Sequence, residues 1–311
     1  MFTIADARRY AVDAFTQSAV FAGQPRSSCT LDADVLLQYF LQKPRAWLFA
    51  HSTADISPVE EAFYRAVERR CTGLPIAYIT GEKEFWGLSF SVCPAVLIPK
   101  PDTELLVERS LVLIREKAAR SDHPISVLDP CTGSGCVIIS ILHTLCRENI
   151  PPVFAVASDI SQAALSVARR NAQRLLPPAV QNNLLFLQAD MCRLDRLADS
   201  LPETRRRFDL IAANPPYVPS ALTETLLQDG RSEPVQALDG GADGLDFIKV
   251  LANNTLDLLN DKGVLLSEAG EYHAAEAALW FKKSGFCGVH IHKDLAQKDR
   301  VIEGMRHDTK N

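Results

Sequence analysis

The sequence predicts an α/β fold: a seven-stranded, mostly parallel sheet with an antiparallel finish, preceded by a small N-terminal helical bundle and a β-hairpin. Three observations carry this reading. From Ile125 onward, short apolar runs alternate with segments of helical periodicity, as in a parallel sheet covered by helices. The last two runs, 286–292 and 300–304, follow each other with no helix between them, which suits an antiparallel pair. Before all this, residues 3–72 carry helical spacing alone.

Taken in order, Ala5, Ala11, Val12, Phe15 and Ala19 recur at helical intervals, as do Val35, Leu36, Tyr39 and Phe40, with Thr30 as the expected N-cap. Ser57-Pro58-Val59-Glu60 reads as a capping box with Pro at the first helical position, opening a helix that carries Phe63, Val67 and Cys71. Gly73 and Pro75 stop it. Residues 77–99 change to strand character; 85–92 has period two and aromatic enrichment, and Pro94 and Pro99 punctuate it. A hairpin joining two domains is expected there. Pro101, Asp102 and Glu104 then start a helix running to Ala119.

Beyond it the candidate strands are 126–129, 153–158, 184–188, 208–213, 263–268, 286–292 and 300–304. The intervening helices are 137–146, 161–175, 245–259 and 272–283. The tail, 307–311, is expected to fray. The organisation is therefore 1–75 as a helical bundle for substrate recognition, 76–99 as a hairpin linker, and 100–311 as the catalytic domain.

Composition narrows the function. Of 311 residues, 47% are hydrophobic and 23% charged, ordinary for a globular enzyme. A formal net charge of −5 argues against a protein that coats nucleic acid, and Arg205-Arg206-Arg207 is its densest basic stretch. The eight cysteines are scattered, with no Cys-x-x-Cys pair and no matching His spacing, so no metal is expected and reduced thiols are. There is no signal segment and no apolar run that spans a bilayer, so the expected location is cytoplasmic, with no membrane partner.

The chemistry gathers where strands end. Asp129-Pro130-Cys131-Thr132-Gly133-Ser134-Gly135 follows the first strand and opens a helix, and its glycines let backbone approach a ligand. The second strand ends at Asp159, where a carboxylate can accept from both hydroxyls of a ribose. The third ends at Asp190 and Met191, suited to an exocyclic adenine amine and an adenine ring. The fourth ends in Asn214-Pro215-Pro216-Tyr217. Each proline fixes its own φ and restricts the residue before it, so this tetrapeptide is rigid and can grip a planar nitrogen. Any one of these is also an ordinary turn. Four successive strands so ended point to an adenosyl ligand beside a nitrogen-gripping pocket.

With these residues in place, the chain resembles the class I S-adenosylmethionine-dependent methyltransferases. More narrowly, it resembles the HemK/PrmC family of protein-(glutamine-N5) methyltransferases. The likeness runs through Gly73–81 and Glu84-Phe85-Trp86-Gly87-Leu88, then Ile98-Pro99-Lys100-Pro101-Asp102-Thr103-Glu104. It continues through the tetrapeptide to Glu233-Pro234 and Asp243-Gly244-Leu245. Departures are Lys100 for a usual Arg, Cys131 for the first glycine of the loop, His273-Ala274 for Gln-Gly, and Gln297 for a glycine.

The resemblance implies a Rossmann-like seven-stranded methyltransferase sheet. It also implies S-adenosylmethionine as cofactor, S-adenosylhomocysteine as product, and the Gly-Gly-Gln motif of translation release factors as substrate. Cys131, Thr132, Gly133, Ser134, Gly135, Asp159, Asp190, Met191 and Asn214 would bind the cofactor. Asn214, Pro215, Pro216 and Tyr217 would hold the glutamine, with the Asn214 side-chain oxygen and the Pro215 carbonyl accepting its two N–H bonds and Tyr217 stacked on the amide. Two alternatives stand beside this reading. One is an adenine-N6 nucleic-acid methyltransferase, which uses the same tetrapeptide after base flipping but calls for a large basic region. The other is a cofactor-free binding module of the same fold. No direct nucleic-acid partner is expected.

Overall fold

A computed structural model describes residues 1–120, 124–151, 153–227 and 232–307. The expected fraying of the tail falls, beyond His307, outside the described residues. The chain divides into two compact units, Met1–Glu82 with Glu224–Ser232, and Lys83–Thr223 with Glu233–Asn311.

In the first unit the helices are α1 (Ile4–Gln17), α2 (Arg26–Leu41), α3 (Arg45–Ala50), α4 (Glu60–Cys71) and α5 (Ile76–Thr80). A capping box starts α1: the Thr3 hydroxyl accepts from the Asp6 N–H while the Asp6 carboxylate accepts from the Thr3 N–H. The apolar face of α1 is Ile4, Ala7, Ala11, Val12 and Phe15; Ala5 and Ala19, read from periodicity as part of it, are exposed. That face shares a core with Leu36 and Leu37 of α2 and Phe63 and Val67 of α4. Asp34, fully buried on α2, accepts from Arg8 Nε at 2.6 Å and Arg45 Nε at 2.9 Å. Two guanidinium groups thus compensate one buried carboxylate and tie α1, α2 and α3 together.

Two helix starts differ from expectation. Thr30 lies inside α2, where its hydroxyl donates to the Arg26 carbonyl, and Pro25 is the N-cap. Ser57–Val59 is a turn of 3-10 helix, and α4 begins after it at Glu60 with no side-chain cap. The Ser57 hydroxyl donates to Asp55 instead. The tight Pro58 turn places Glu60 too early to be the third helical residue that a capping box needs.

The strand expectation from Ala77 is also corrected: Pro75 leads into α5, which ends at Gly81 with φ 77°. Strand character starts with β1 (Glu82–Phe85) and β2 (Leu88–Ser91), which form a two-stranded hairpin. Trp86 and Gly87 between them have φ of 55° and 69°, the two positive values that a tight hairpin turn of matching twist requires. The period-two pattern read over 85–92 is therefore broken at its turn.

The second unit continues with α6 (Glu104–Ala118), β3 (Ser126–Asp129), α7 (Cys136–Arg147), β4 (Phe154–Asp159), α8 (Gln162–Leu175), α9 (Pro178–Gln181) and β5 (Leu184–Gln188). It proceeds through α10 (Leu194–Asp199), β6 (Phe208–Ala213), α11 (Ser220–Leu227) and α12 (Asp246–Asn254). It ends with β7 (Leu259–Glu268), α13 (Ala274–Lys283), β8 (Cys287–Lys293) and β9 (Asp299–Met305). Among the described residues the sheet has seven strands in the order β5-β4-β3-β6-β7-β9-β8. The first five pair in parallel; β9 runs antiparallel to both neighbours, the finish expected from the sequence. One helix was expected over 245–259. Instead α12 stops at Asn254, a 3-10 turn covers Leu256–Leu258, and β7 begins four residues earlier than expected, at Leu259.

Alternate residues of the central strands enter different cores. Val127, Ala155 and Leu210 pack with Val107, Leu111 and Ile138 from α6 and α7. Leu128, Val156 and Ile211 pack with Ile248, Leu251 and Phe281 from α12 and α13. Both faces being covered, the strands read as continuous apolar runs. The chain builds β3, β4 and β5 outward in one direction and returns to place β6 on the other side of β3. That reversal opens a crevice at the carboxyl ends of β3 and β6, the usual place for a ligand. Among the described residues no helix is long and apolar enough to cross a membrane.

Candidate active site

One cavity lies against the carboxyl ends of β3, β4, β5 and β6. Of the residues singled out from the sequence, Cys131, Thr132, Gly133, Ser134, Asp159, Asp190, Met191, Asn214 and Pro216 line it. Gly135, Pro215 and Tyr217 do not.

The loop between β3 and α7 is held by its own backbone: the Thr132 N–H donates to the Ser158 carbonyl at 3.0 Å and the Gly135 N–H to the Thr132 carbonyl at 2.7 Å. Its two glycines work differently. At Gly133, φ is 53° and a Cβ would meet nothing within 4 Å, so bare backbone fronts the cavity. At Gly135, φ is 80° and a Cβ would lie 2.7 Å from Ile139 Cδ1, so this glycine lets the loop close onto α7.

Asp159 accepts from the Gly133 N–H and the Ser161 N–H, each at 2.9 Å. Ser161 caps α8 by accepting from the Ala164 N–H, so Asp159 is not spent as that helix's cap. Burial raises the pKa of the Asp159 carboxyl above its ordinary value. Asp129, behind the loop, is buried and accepts from the Thr132 hydroxyl at 2.8 Å. Burial first, and then the nearby Asp159 charge, push it up to about 7.

On the next strand end, Asp190 accepts from the Cys192 N–H and so caps a 3-10 turn over Met191–Arg193. Met191 is buried, with its sulfur 3.4 Å from Cys131 Sγ. Burial and the charges of Asp129 and Asp159 push the Cys131 thiol well above its ordinary range, which favours the protonated form. The residue that replaces a glycine in this loop thus packs on Met191 as a small apolar group.

At the end of β6, Asn214 Nδ2 donates to Thr103 Oγ1 at 3.2 Å. Tyr217 sends its hydroxyl to Glu268 Oε1 at 2.9 Å, and burial together with Glu268 raises its pKa. Glu268 is fully buried; burial raises its carboxyl to about 7, against the pull of the Thr103 and Tyr217 hydroxyls and the Arg300 charge. Arg300 Nη2 lies 3.1 Å from Asp102 and 3.3 Å from Asp294. On another wall Lys100 Nζ meets the buried Glu233 at 2.8 Å, joining the stretch before α6 to Glu233-Pro234.

Sequence reasoning gave Asp129 and Thr103 no role beyond their place in a motif, and did not single out Glu268. Two of these end strands, as Asp159 does and Asn214 nearly does, so the same strand-end rule carried to β7 marks Glu268. Thr103 carries no such signal; it reads only as part of a helix start.

A seven-stranded sheet with an antiparallel β7-β9-β8 end, opened at a glycine loop after β3, is the class I methyltransferase fold. The N-terminal domain of human METTL16 in complex with SAH is similar to this fold, with a TM-score of 0.51, 16% identity, and coverage of 93% of this chain and 97% of that one. Residues 6–81 match the PrmC N-terminal domain. A release factor glutamine methyltransferase of Clostridium botulinum is 35% identical over 90% of this chain and 93% of its own length. Another, of Moorella thermoacetica, is 39% identical over 89% and 92%. The chain belongs to the family of release factor glutamine methyltransferases.

Proposed function

We propose that this chain transfers a methyl group from S-adenosylmethionine to the side-chain amide nitrogen of the glutamine in the Gly-Gly-Gln motif of release factors. One observation carries the reading: Asn214, its Nδ2 turned back onto Thr103, lines the same cavity as Gly133 and Asp159. An Asn so held keeps its Oδ1 for a ligand N–H. Its relatives' activity supports the rest.

The residues fit the cofactor. Gly133 has open space before it, Val96, Ile160, Met191 and Phe247 give apolar wall, and the half-buried Asp159 carboxyl on that wall can accept from ligand hydroxyls. Bound there, S-adenosylmethionine supplies an electrophilic methyl on a cationic sulfur. Cys131, Thr132, Gly133 and Ser134, with Gly135 closing the loop behind them, would hold its methionine end, Asp159 its ribose, and Asp190 and Met191 its adenine, with Asn214 beside the reacting centre.

An amide nitrogen is a poor nucleophile because its lone pair is delocalised. Asn214 Oδ1 and the Pro215 carbonyl, each accepting one N–H, would orient that nitrogen and draw electron density to it. Tyr217 sends its hydroxyl to Glu268, so its part is to fix the tetrapeptide by that anchor, and its ring closes on the amide only if the substrate draws it forward. The 1–75 helices would recognise the release factor, 76–99 would link, and 100–311 would catalyse. The reaction belongs to the cytoplasm, where release factors work.

Mass spectrometry of a release factor incubated with the protein and cofactor tests this: one added methyl on the glutamine is expected, and none on DNA. Asn214→Ala should lower transfer by about 100-fold or more while sparing cofactor binding. Transfer within a few-fold of wild type would overturn the role of Asn214.

A further inference from the structure

We propose that Lys100 takes the carboxylate of the cofactor's amino-acid end and so decides which way round S-adenosylmethionine lies in the cavity. The inference rests on the reading that the cavity holds S-adenosylmethionine, and adds the partner of its one anionic group.

Among the described residues that line the cavity, Lys100 alone has a cationic side chain, and Asp159 and Asp190 are the acidic ones. The sheet keeps the two signs apart. Asp159 ends β4 and Asp190 follows β5, whereas Lys100 belongs to the β6 side. Its carbonyl accepts from the Thr103 N–H at 3.1 Å, and the Thr103 hydroxyl accepts from Asn214, just past β6, at 3.2 Å. With the strands in the order β5-β4-β3-β6, the carboxyls lie to one side of β3 and the ammonium to the other. The glycine loop after β3 stands between them.

The ammonium is held where it is. The Glu233 side chain, only 3% exposed, meets Lys100 Nζ at 2.8 Å, while Lys100 keeps 39% of its own side chain exposed. Pro101 follows directly and opens a 3-10 turn over Pro101–Thr103, which fixes the backbone that carries the lysine. An ammonium has three donors, and Glu233 Oε1 takes one. The group therefore keeps the capacity to meet a second anion at the cavity wall.

The groups of S-adenosylmethionine match this division. Its ribose hydroxyls need acceptors, which Asp159 offers. Its amino-acid end carries a carboxylate, which the two aspartates repel and the lysine attracts. Placed the other way round, the ligand would set that carboxylate against Asp159 and Asp190 and leave Lys100 with Glu233 alone. A compact charge on a flexible stem can be shared between Glu233 and a ligand without the fixed fork of an arginine.

The test measures binding to the full-length protein, by calorimetry, of S-adenosylhomocysteine and of its decarboxylated analogue, which lacks only the carboxylate. Wild-type protein should prefer S-adenosylhomocysteine by about 10- to 100-fold, the range of a charge-assisted hydrogen bond. Lys100→Met should lose that preference by weakening S-adenosylhomocysteine alone, and Lys100→Arg should keep it. Equal weakening of both ligands would make Lys100 a brace for Glu233 and overturn the proposal. An undiminished preference in Lys100→Met, or none in the wild type, overturns it too. Removing the lysine strands the buried Glu233 carboxylate, so thermal unfolding is followed in parallel. Should Lys100→Met fail to fold, its combination with Glu233→Gln removes both charges and is judged by the same ratio. Wild-type protein that binds neither ligand would remove the cofactor reading itself, whereas binding of both with no preference removes the role of Lys100 alone.

Discussion

Asp159 on the cavity wall and Asp129 behind the loop are two carboxyls whose charge depends on pH. Burial raises both, and Asp159 helps hold Asp129 at about 7. A raised carboxyl is neutral below its pKa and charged above it, so a cationic ligand gains an attractive partner as pH rises. Affinity for S-adenosylmethionine, measured by calorimetry, should therefore increase through about pH 7. Asp129→Asn should flatten that dependence, and it should be weaker for S-adenosylhomocysteine, which lacks the sulfonium charge. At this scale the sequence was most legible where covalent structure restricts the backbone. Asn214-Pro215-Pro216-Tyr217 declares its own rigidity, and Gly133 its own freedom. Asp129 and Glu268 do not declare burial: a carboxylate reads as a solvated group until tertiary packing encloses it.

Elements show where local strain is tolerated. The β8–β9 connection folds back at Asp294, which accepts from the Lys298 N–H through its side chain while its carbonyl accepts from the Gln297 N–H. Gln297 there has φ 63°, a left-handed conformation that favours glycine, which explains why a glycine suits this position. Gln297→Gly should stabilise the protein by about 1 kcal/mol, read as a higher melting temperature, with transfer unchanged. Gly135→Ala should do the reverse. An alanine at φ 80° is strained, and its Cβ, 2.7 Å from Ile139 Cδ1, forces that side chain or the loop to shift. A loss of about 1–3 kcal/mol is expected in denaturant unfolding, together with weaker cofactor binding. Strands of this sheet were readable because their neighbours on both faces are apolar. Helix starts at Arg26 and Glu60 were not, because the cap signatures at Thr30 and Ser57 lie on the wrong side of prolines that decide the local turn.

For the whole molecule, burial of carboxyls sets how stability follows pH. Glu268 rises from an ordinary 4.5 to about 7, and Asp129 from 3.8 to about 7. The unfolded chain releases these protons first, so stability should fall as pH climbs from about 4 to 7 and then level off. Glu148, Asp209 and Glu303 are shifted the other way by their cationic partners, so their contribution is lost as pH falls through the acid range. Thermal melts should therefore peak in mildly acidic buffer, and Asp129→Asn with Glu268→Gln should flatten the neutral limb. In the first unit, Asp34→Ala would strand Arg8 and Arg45 beside an empty carboxylate site. A loss of about 3–5 kcal/mol is expected in chemical unfolding of that unit. The two-part organisation was legible from the switch between helical and alternating patterns. The tie that Asp34 makes among three helices was not, since its partners stand 26 and 11 residues away.

Strand order also has a temporal meaning. β9 sits between β7 and β8, yet the ribosome makes it after both. Until Asp299–Met305 emerges, β8 has no neighbour to join and β7 shows an unpaired edge beyond β6. The nascent chain therefore carries an unfinished sheet beyond the crevice, and a single late insertion closes it. That insertion also delivers Arg300 to the side of Asp102, so the final strand completes the buried polar cluster behind Asn214 in the same step.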